Sequence, residues 1–208
     1  MKNNVRIRVF KAALFGAALA VFALPLVAQS NGSSAPVSGE SIPDRKENQQ
    51  DRIANGVKTG ELTAGETTNL EKKESGLNQE EHDMRKLDDG HLTSADKTTL
   101  NQQQNKLSNQ IYDDKQNSAV QNTDPKSEVG KRAENQQDRI AQGVKSGQLT
   151  AGETAHLEGG EAKINKEVSN DRAANGGKLT GQEKRQVNRQ QNRESRQIYH
   201  DKHNGRRQ

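Results

Sequence analysis

The sequence predicts an all-α protein: two tandem small three-helix units of marginal stability, with partial disorder as the alternative, following a signal peptide. Three observations carry this expectation. A block of about seventy residues occurs twice. Four elements of the form Gly-x-Leu-Thr-x-x-(Glu/Asp) fall where one helix must stop and the next begin. Beyond the N-terminal stretch only roughly one fifth of the residues are apolar, against the ~45% of ordinary globular chains.

The N-terminal stretch is the exception to that polarity. Residues Met1 to Ala28 hold all three Phe (Phe10, Phe15, Phe22) and four bases (Lys2, Arg6, Arg8, Lys11) with no acid. A basic segment to Lys11, an apolar run from Ala12 to Leu26 and small residues up to Ala28 or Ser30 make up the layout of a secretory signal peptide. The run is short for a membrane span. The expected location is therefore periplasmic or secreted, with 1–28 as signal peptide. The chain has no Cys, which excludes lipid attachment at the cleavage region and any disulfide staple. The remainder carries 28 bases and 28 acids, a formal charge of zero. Such a composition argues against a large buried core, a transmembrane bundle and a basic nucleic-acid binder. It also argues against an enzyme, because catalytic pockets need apolar walls.

The repeat is explicit. Glu47-Asn-Gln-Gln-Asp-Arg-Ile-Ala54 returns 87 positions later as Glu134 to Ala141, and Gln110-Ile-Tyr112 returns as Gln197-Ile-Tyr199 at the same spacing. Repeat 1 spans 47–117 and repeat 2 spans 134–204. The polar stretches 29–46 and 118–133 read as linkers, and 205–208 as a basic tail. Inside each repeat, Gly60-Glu-Leu-Thr-Ala-Gly-Glu66 has a weaker counterpart at Gly90 to Asp96, and Gly147 to Glu153 has one at Gly177 to Glu183. The glycine suits the left-handed residue that ends a helix. The threonine can accept from a first-turn N–H while the acid three residues on reaches back, a capping box. Helices are thus expected over about 46–58, 64–88, 94–117, 133–145, 151–175 and 181–204. Leu70, Leu77 and Met84 at intervals of seven, and Leu100, Leu107 and Ile111, supply a narrow apolar stripe. Gln, Asn, Lys and Glu fill the other positions. Gly76, Gly159 and Gly160 weaken the middle helices by ~1 kcal/mol each.

The same elements resemble the second half of an EF-hand loop. The glycine takes the glycine place, the leucine the central hydrophobic place, and Glu66, Asp96, Glu153 or Glu183 the last-ligand place, with Asp89 beside Gly90. The resemblance implies calcium at these five acids and a calcium-responsive protein as an alternative function. The first-ligand place, however, holds Asn55, Arg85, Gln142 or Arg172 and the third place Val57, Leu87, Val144 or Ala174, where a calcium loop needs several oxygen ligands, and capping already accounts for the acids. Otherwise no cofactor is expected. The Leu-Thr-x-x-Glu string also resembles the LTxxQ motif of periplasmic stress chaperones, which implies a periplasmic helical binding protein. The repeats with their Ile111-Tyr-x-x-Lys-x-Asn117 ending resemble uncharacterised bacterial secreted repeat proteins, which implies no activity. His156, His200, His203 and the Ser94-x-x-Lys97 spacing read as solvated surface.

Charge is unevenly spread. Repeat 1 has nine bases and fourteen acids, whereas Glu134 to Gln208 has fourteen bases and ten acids. Arg185, Arg189 and Arg193 fall along one helix face. The expected function is that of an exported, non-enzymatic binding or scaffolding module. Its partner would be a protein or an anionic envelope component, with self-association between acidic repeat 1 and basic repeat 2 as a further option. Tyr112 and Tyr199 join the three arginines as partner-binding candidates. No aromatics interleave the basic stretch, so single-stranded nucleic acid is not the expected ligand.

Overall fold

A computed structural model describes residues 40–121 and 126–207; the segment expected as a signal peptide and the expected linker up to residue 39 lie outside them. Six α-helices and no strand occur among the described residues: α1 Ile42–Thr59, α2 Ala64–Leu87, α3 Ser94–Gln116, α4 Glu128–Lys145, α5 Ala151–Ala174 and α6 Gly181–His203. The protein is all-α. None of these helices is long and apolar enough to cross a membrane.

The corners form by the chemistry expected of them. Thr63, Thr93, Thr150 and Thr180 are N-caps, and each makes a full capping box with the acid three residues on. Gly60, Gly90, Gly147 and Gly177 have φ of +74°, +89°, +66° and +87°, a region that costs an L-residue side chain. The helix starts of α1 and α4 correct the sequence reading. Residues 42–46 and 128–133, expected as linker, are helical. Ser41 caps α1 by accepting from the Asp44 N–H, with Pro43 in the first turn, where its missing N–H costs nothing. Ser127 caps α4 by accepting from the Gly130 N–H. The added turns bury Ile42 and Val129.

The described residues belong to one compact unit. The most extensive helix contacts are α2 with α5 and α1 with α4. One apolar cluster joins Ile53, Leu62, Leu70 and Ile111 to Ala141, and another joins Ile140, Leu149, Leu157 and Ile198 to Ala54. Each half of the chain therefore contributes to a core dominated by the other. A third cluster holds Val129, Ile164 and Val187.

Two glycines set the first corner of each half. Leu62 turns back onto α1, its N–H donating to Gly56 O at 3.0 Å. A Cβ on Gly56 would stand 2.7 Å from Leu62 Cγ. At Gly143 a Cβ would stand 2.6 Å from Leu149 Cδ1, and Leu149 N–H donates to Gly143 O at 3.1 Å. Both leucines are fully buried and have nowhere to go. The far end of each triplet is tied to this corner as well. Ile111 and Ile198 insert into the core, and Asn117 and Asn204 donate to Glu66 and Glu153, each at 2.7 Å. This gives the Ile-Tyr-x-x-Lys-x-Asn string a structural job.

Gly143→Ala should cost about 1–3 kcal/mol through overpacking against Leu149. Gly76→Ala, where a Cβ meets nothing within 4 Å, should gain about 0.5–1 kcal/mol from helix propensity. Urea unfolding monitored by circular dichroism reads both, and the two substitutions should differ in sign. Thr150→Ala should cost about 1 kcal/mol by the same measurement, through loss of the cap.

Candidate functional site

With so few apolar side chains, the helices are joined by amides. Gln49 donates to Gln104 O at 2.7 Å, and Gln104 donates to Ile42 O at 3.1 Å. The positions 87 residues later repeat the arrangement: Gln136 donates to Gln191 O at 2.9 Å and Gln191 to Val129 O at 2.9 Å. A helical carbonyl has a second lone pair free for such a donor. Arg52 adds bonds to Ser108 Oγ and O at 2.6 and 3.0 Å. All four glutamines are buried.

Deeper in, α2 and α5 bring four glutamates into the interior. Glu71 and Glu74 are three apart on α2, as are Glu158 and Glu161 on α5, so each pair shares a helix face. All four have zero exposure. Gln50 donates to Glu71 at 3.2 Å and Gln137 to Glu158 at 3.0 Å. Neither carboxyl oxygen of Glu74 or Glu161 has a partner among the described residues. Burial disfavours the charged form and drives all four pKa values up. Glu71 rises well above its ordinary value, opposed by the Gln50 bond and reinforced by Glu74 and Glu158. Glu158 is raised to about 8, its bond from Gln137 opposing and Glu194 adding to the rise.

The two outer members differ for a visible reason. Glu74 is raised to about 7, because burial is partly offset by Lys46. Glu161 is raised to about 9, because burial is reinforced by Glu158 and Glu194. The position 87 after Lys46 is Ala133, and the position 87 before Glu194 is Leu107. The second half has thus lost a cation and gained an acid. Glu194 lies against Gly160, where a Cβ would sit 2.6 Å from its Oε2. Burial, with Asp201 adding and Lys163 opposing, raises Glu194 to about 7. Glu194 also lines a groove of about 520 Å³ beside Lys72, Ser75, His156, Gly160 and Lys163, so one edge of the glutamate layer meets solvent. Composition hid this layer, since Glu and Gln ordinarily mark solvated faces. Its one signal was that Gln50, Glu71 and Glu74 recur unchanged as Gln137, Glu158 and Glu161.

The five acids singled out by the EF-hand resemblance sit elsewhere. Glu66, Asp96, Glu153 and Glu183 accept from the backbone N–H of their cap threonines at 2.9, 2.9, 3.0 and 2.7 Å. Bonds from Thr93 hold Asp96 below its ordinary pKa, and those from Thr180 and Asn175 do the same for Glu183. At Glu66 and Glu153 burial pushes upward, but bonds from the cap threonines and from Asn117 or Asn204 outweigh it. Asp89 lies in the α2–α3 turn with φ +50°. Among the described residues no group of three or more His, Asp or Glu is arranged to hold a metal ion.

The basic series falls as its spacing demands. Arg185, Arg189 and Arg193 are exposed on α6, on the face opposite buried Val187, Gln191 and Ile198. Arg196, His200 and His203 continue the same exposed strip. Among the described residues none pairs with the guanidinium groups of Arg185, Arg189 or Arg193. The equivalent strip on α3 reads Thr98, Gln102, Lys106, Asn109, Asp113 and Gln116, so it lacks this charge. Tyr199 stacks on His203 with centroids 4.2 Å apart. Tyr112 is about half exposed, at 45%. Both tyrosines lie at the surface, while their neighbours Ile111 and Ile198 hold the core. Compared with known proteins, the chain matches no family model, no curated protein and no solved structure.

Proposed function

We propose that the chain is an exported, non-enzymatic helical module, two three-helix units built by duplication. In this reading it works by docking the α6 strip onto an anionic component of the cell envelope. The observation that carries the proposal is the strip itself: three unpaired arginines, extended by Arg196, on the outer face of one helix. Two features support it further. Gln49, Gln50, Glu71, Glu74 and Gln104, all buried, keep their identity in the second half, whereas all six strip positions on α6 differ from those on α3. Divergence of a duplicated surface around a retained set of buried polar side chains is the pattern expected when one copy acquires a contact of its own. Nor does the site hold a nucleophile next to a base, or a pocket with apolar walls, on which a reaction would depend. Export rests on the N-terminal signal layout, with a mature chain beginning after Ala28 or Ser30.

The test is co-sedimentation of the mature protein with vesicles containing phosphatidylglycerol, against vesicles of phosphatidylcholine alone. Binding should be confined to the anionic vesicles and weaken as salt is raised. Each base near an anionic surface contributes about 1 kcal/mol. Arg185→Gln, Arg189→Gln and Arg193→Gln combined should therefore weaken binding about 100-fold while thermal unfolding stays unchanged. Equal binding to both vesicle types, or an unaffected triple variant, would discard the proposal. Intact-mass measurement of protein recovered from the medium or periplasm should give a chain starting at Gln29 or Asn31; a chain retaining Met1 would refute export by a cleaved signal.

A further inference from the structure

We infer that the folded chain holds Glu71, Glu74, Glu158 and Glu161 as neutral acids, and that their deprotonation loosens the α2–α5 contact, which makes the fold a pH-responsive element that is tightest in acid. This stands apart from the α6 strip and does not depend on what that strip binds.

Four carboxyl groups with no exposure lie on α2 and α5, the two helices in most extensive contact among the described residues, and Glu158 acts on Glu71 across that contact. A carboxylate taken out of water is stable only with cations or several donors around it. The charged groups facing the layer are few. From α1 comes Lys46, already bonded to Glu81 of α2 at 3.4 Å, together with the neutral Gln50. The buried side chains of α3 and α4 carry no charge. From α6 come two more acids, Glu194 and Asp201, and Lys72 of α2 with His156 and Lys163 of α5 line the groove beside Glu194. Fully ionised, the four glutamates with Glu81, Glu194 and Asp201 would set seven carboxylates against Lys46 and the two groove lysines.

Among the described residues, the buried side-chain atoms without a partner are oxygens with one exception, Asn165 Nδ2. They include Oε1 of Gln50, Gln137, Glu71 and Glu158 and both oxygens of Glu74 and Glu161. The interior is short of donors. A neutral carboxyl supplies one and a carboxylate supplies none. Four protons would add donors to this interior, and ionisation would remove them.

The direction of the effect follows from linkage. An ordinary glutamate loses its proton near 4.5, which is the unfolded state's behaviour, whereas the folded state keeps it to about 7 for Glu74, 8 for Glu158 and 9 for Glu161. Between those limits the folded state binds more protons, so stability falls as pH rises. Each group can lower the folding equilibrium constant by up to about tenfold per pH unit across its own window. Below pH 4.5 the effect is absent, because both states are protonated.

The experiment is thermal unfolding of residues 29–208 from pH 5 to pH 9, paired with infrared spectroscopy of the neutral-carboxyl stretch. Wild type should lose on the order of 10 °C in melting temperature over that range. The neutral-carboxyl band should be present at pH 6 in the folded protein and fade as stability falls. The double variant Glu158→Gln, Glu161→Gln keeps shape and donors and removes two of the four titrating groups; its melting temperature should fall about half as far over the same range, and its band should be weaker. A flat or rising wild-type profile would overturn the inference, as would a folded protein at pH 6 without the band. Restoration of the pH 9 melting temperature by calcium or another divalent cation would overturn it too, by showing the layer to be a cation site. The infrared measurement needs no variant, so it decides even if the double variant fails to fold.

Discussion

A carboxyl group with no exposure to water must be either paired or neutral, and the described residues contain four of them, on the two helices in most extensive contact. The rest of the architecture follows from the shortage that put them there. Fewer apolar residues than a domain of this size ordinarily uses leave polar side chains to fill the helix–helix spaces. Glutamine solves part of the problem, because its amide can donate to a helical carbonyl while its stem packs like an aliphatic chain. Glutamate solves it only while it carries a proton. The interior is thus held largely by directional bonds, and apolar packing gathers mainly in three small clusters.

The helix corners were legible in the sequence and the interior was not. Glycine, threonine and the following acid interact within four residues, so the pattern that encodes the corner is also the pattern that makes it. The four corners stand where the letters put them, and the six helices end within a residue or two of expectation. The starts of α1 and α4 were missed because Ser41 and Ser127 lie in stretches whose Pro, Ser and Gly content reads as linker. Their helical character comes from burying Ile42 and Val129 against distant helices. The glutamate layer was missed for a related reason. Gln50 meets Glu71 across 21 residues and Gln104 meets Ile42 across 62, and no local periodicity records such a pairing.

The expected weakness of each three-helix unit also takes a different form. Ala141 packs in the cluster of the first half and Ala54 in that of the second, so each half supplies part of what the other lacks. The two halves are nevertheless not equivalent. Lys46 and Leu107 correspond to Ala133 and Glu194 across the repeat, and the charge-balanced strip of α3 corresponds to the basic strip of α6. Interior letters persist where a change would strand a partner, while outward letters are free to drift apart.

The asparagine that closes each triplet gives the chain a particular mechanical character. Asn117 and Asn204 reach back over 51 residues to the very carboxylates that cap α2 and α5, and Arg206 adds an ion pair to Glu153 at 3.6 Å. Each triplet is thereby a loop fastened by a side-chain clasp at the point where it begins to turn. Pulling on the C-terminal end would load that clasp and its corner before any helix elsewhere. Under force the second triplet would open from its fastening inward, as a buckle does, and not fray gradually along α6.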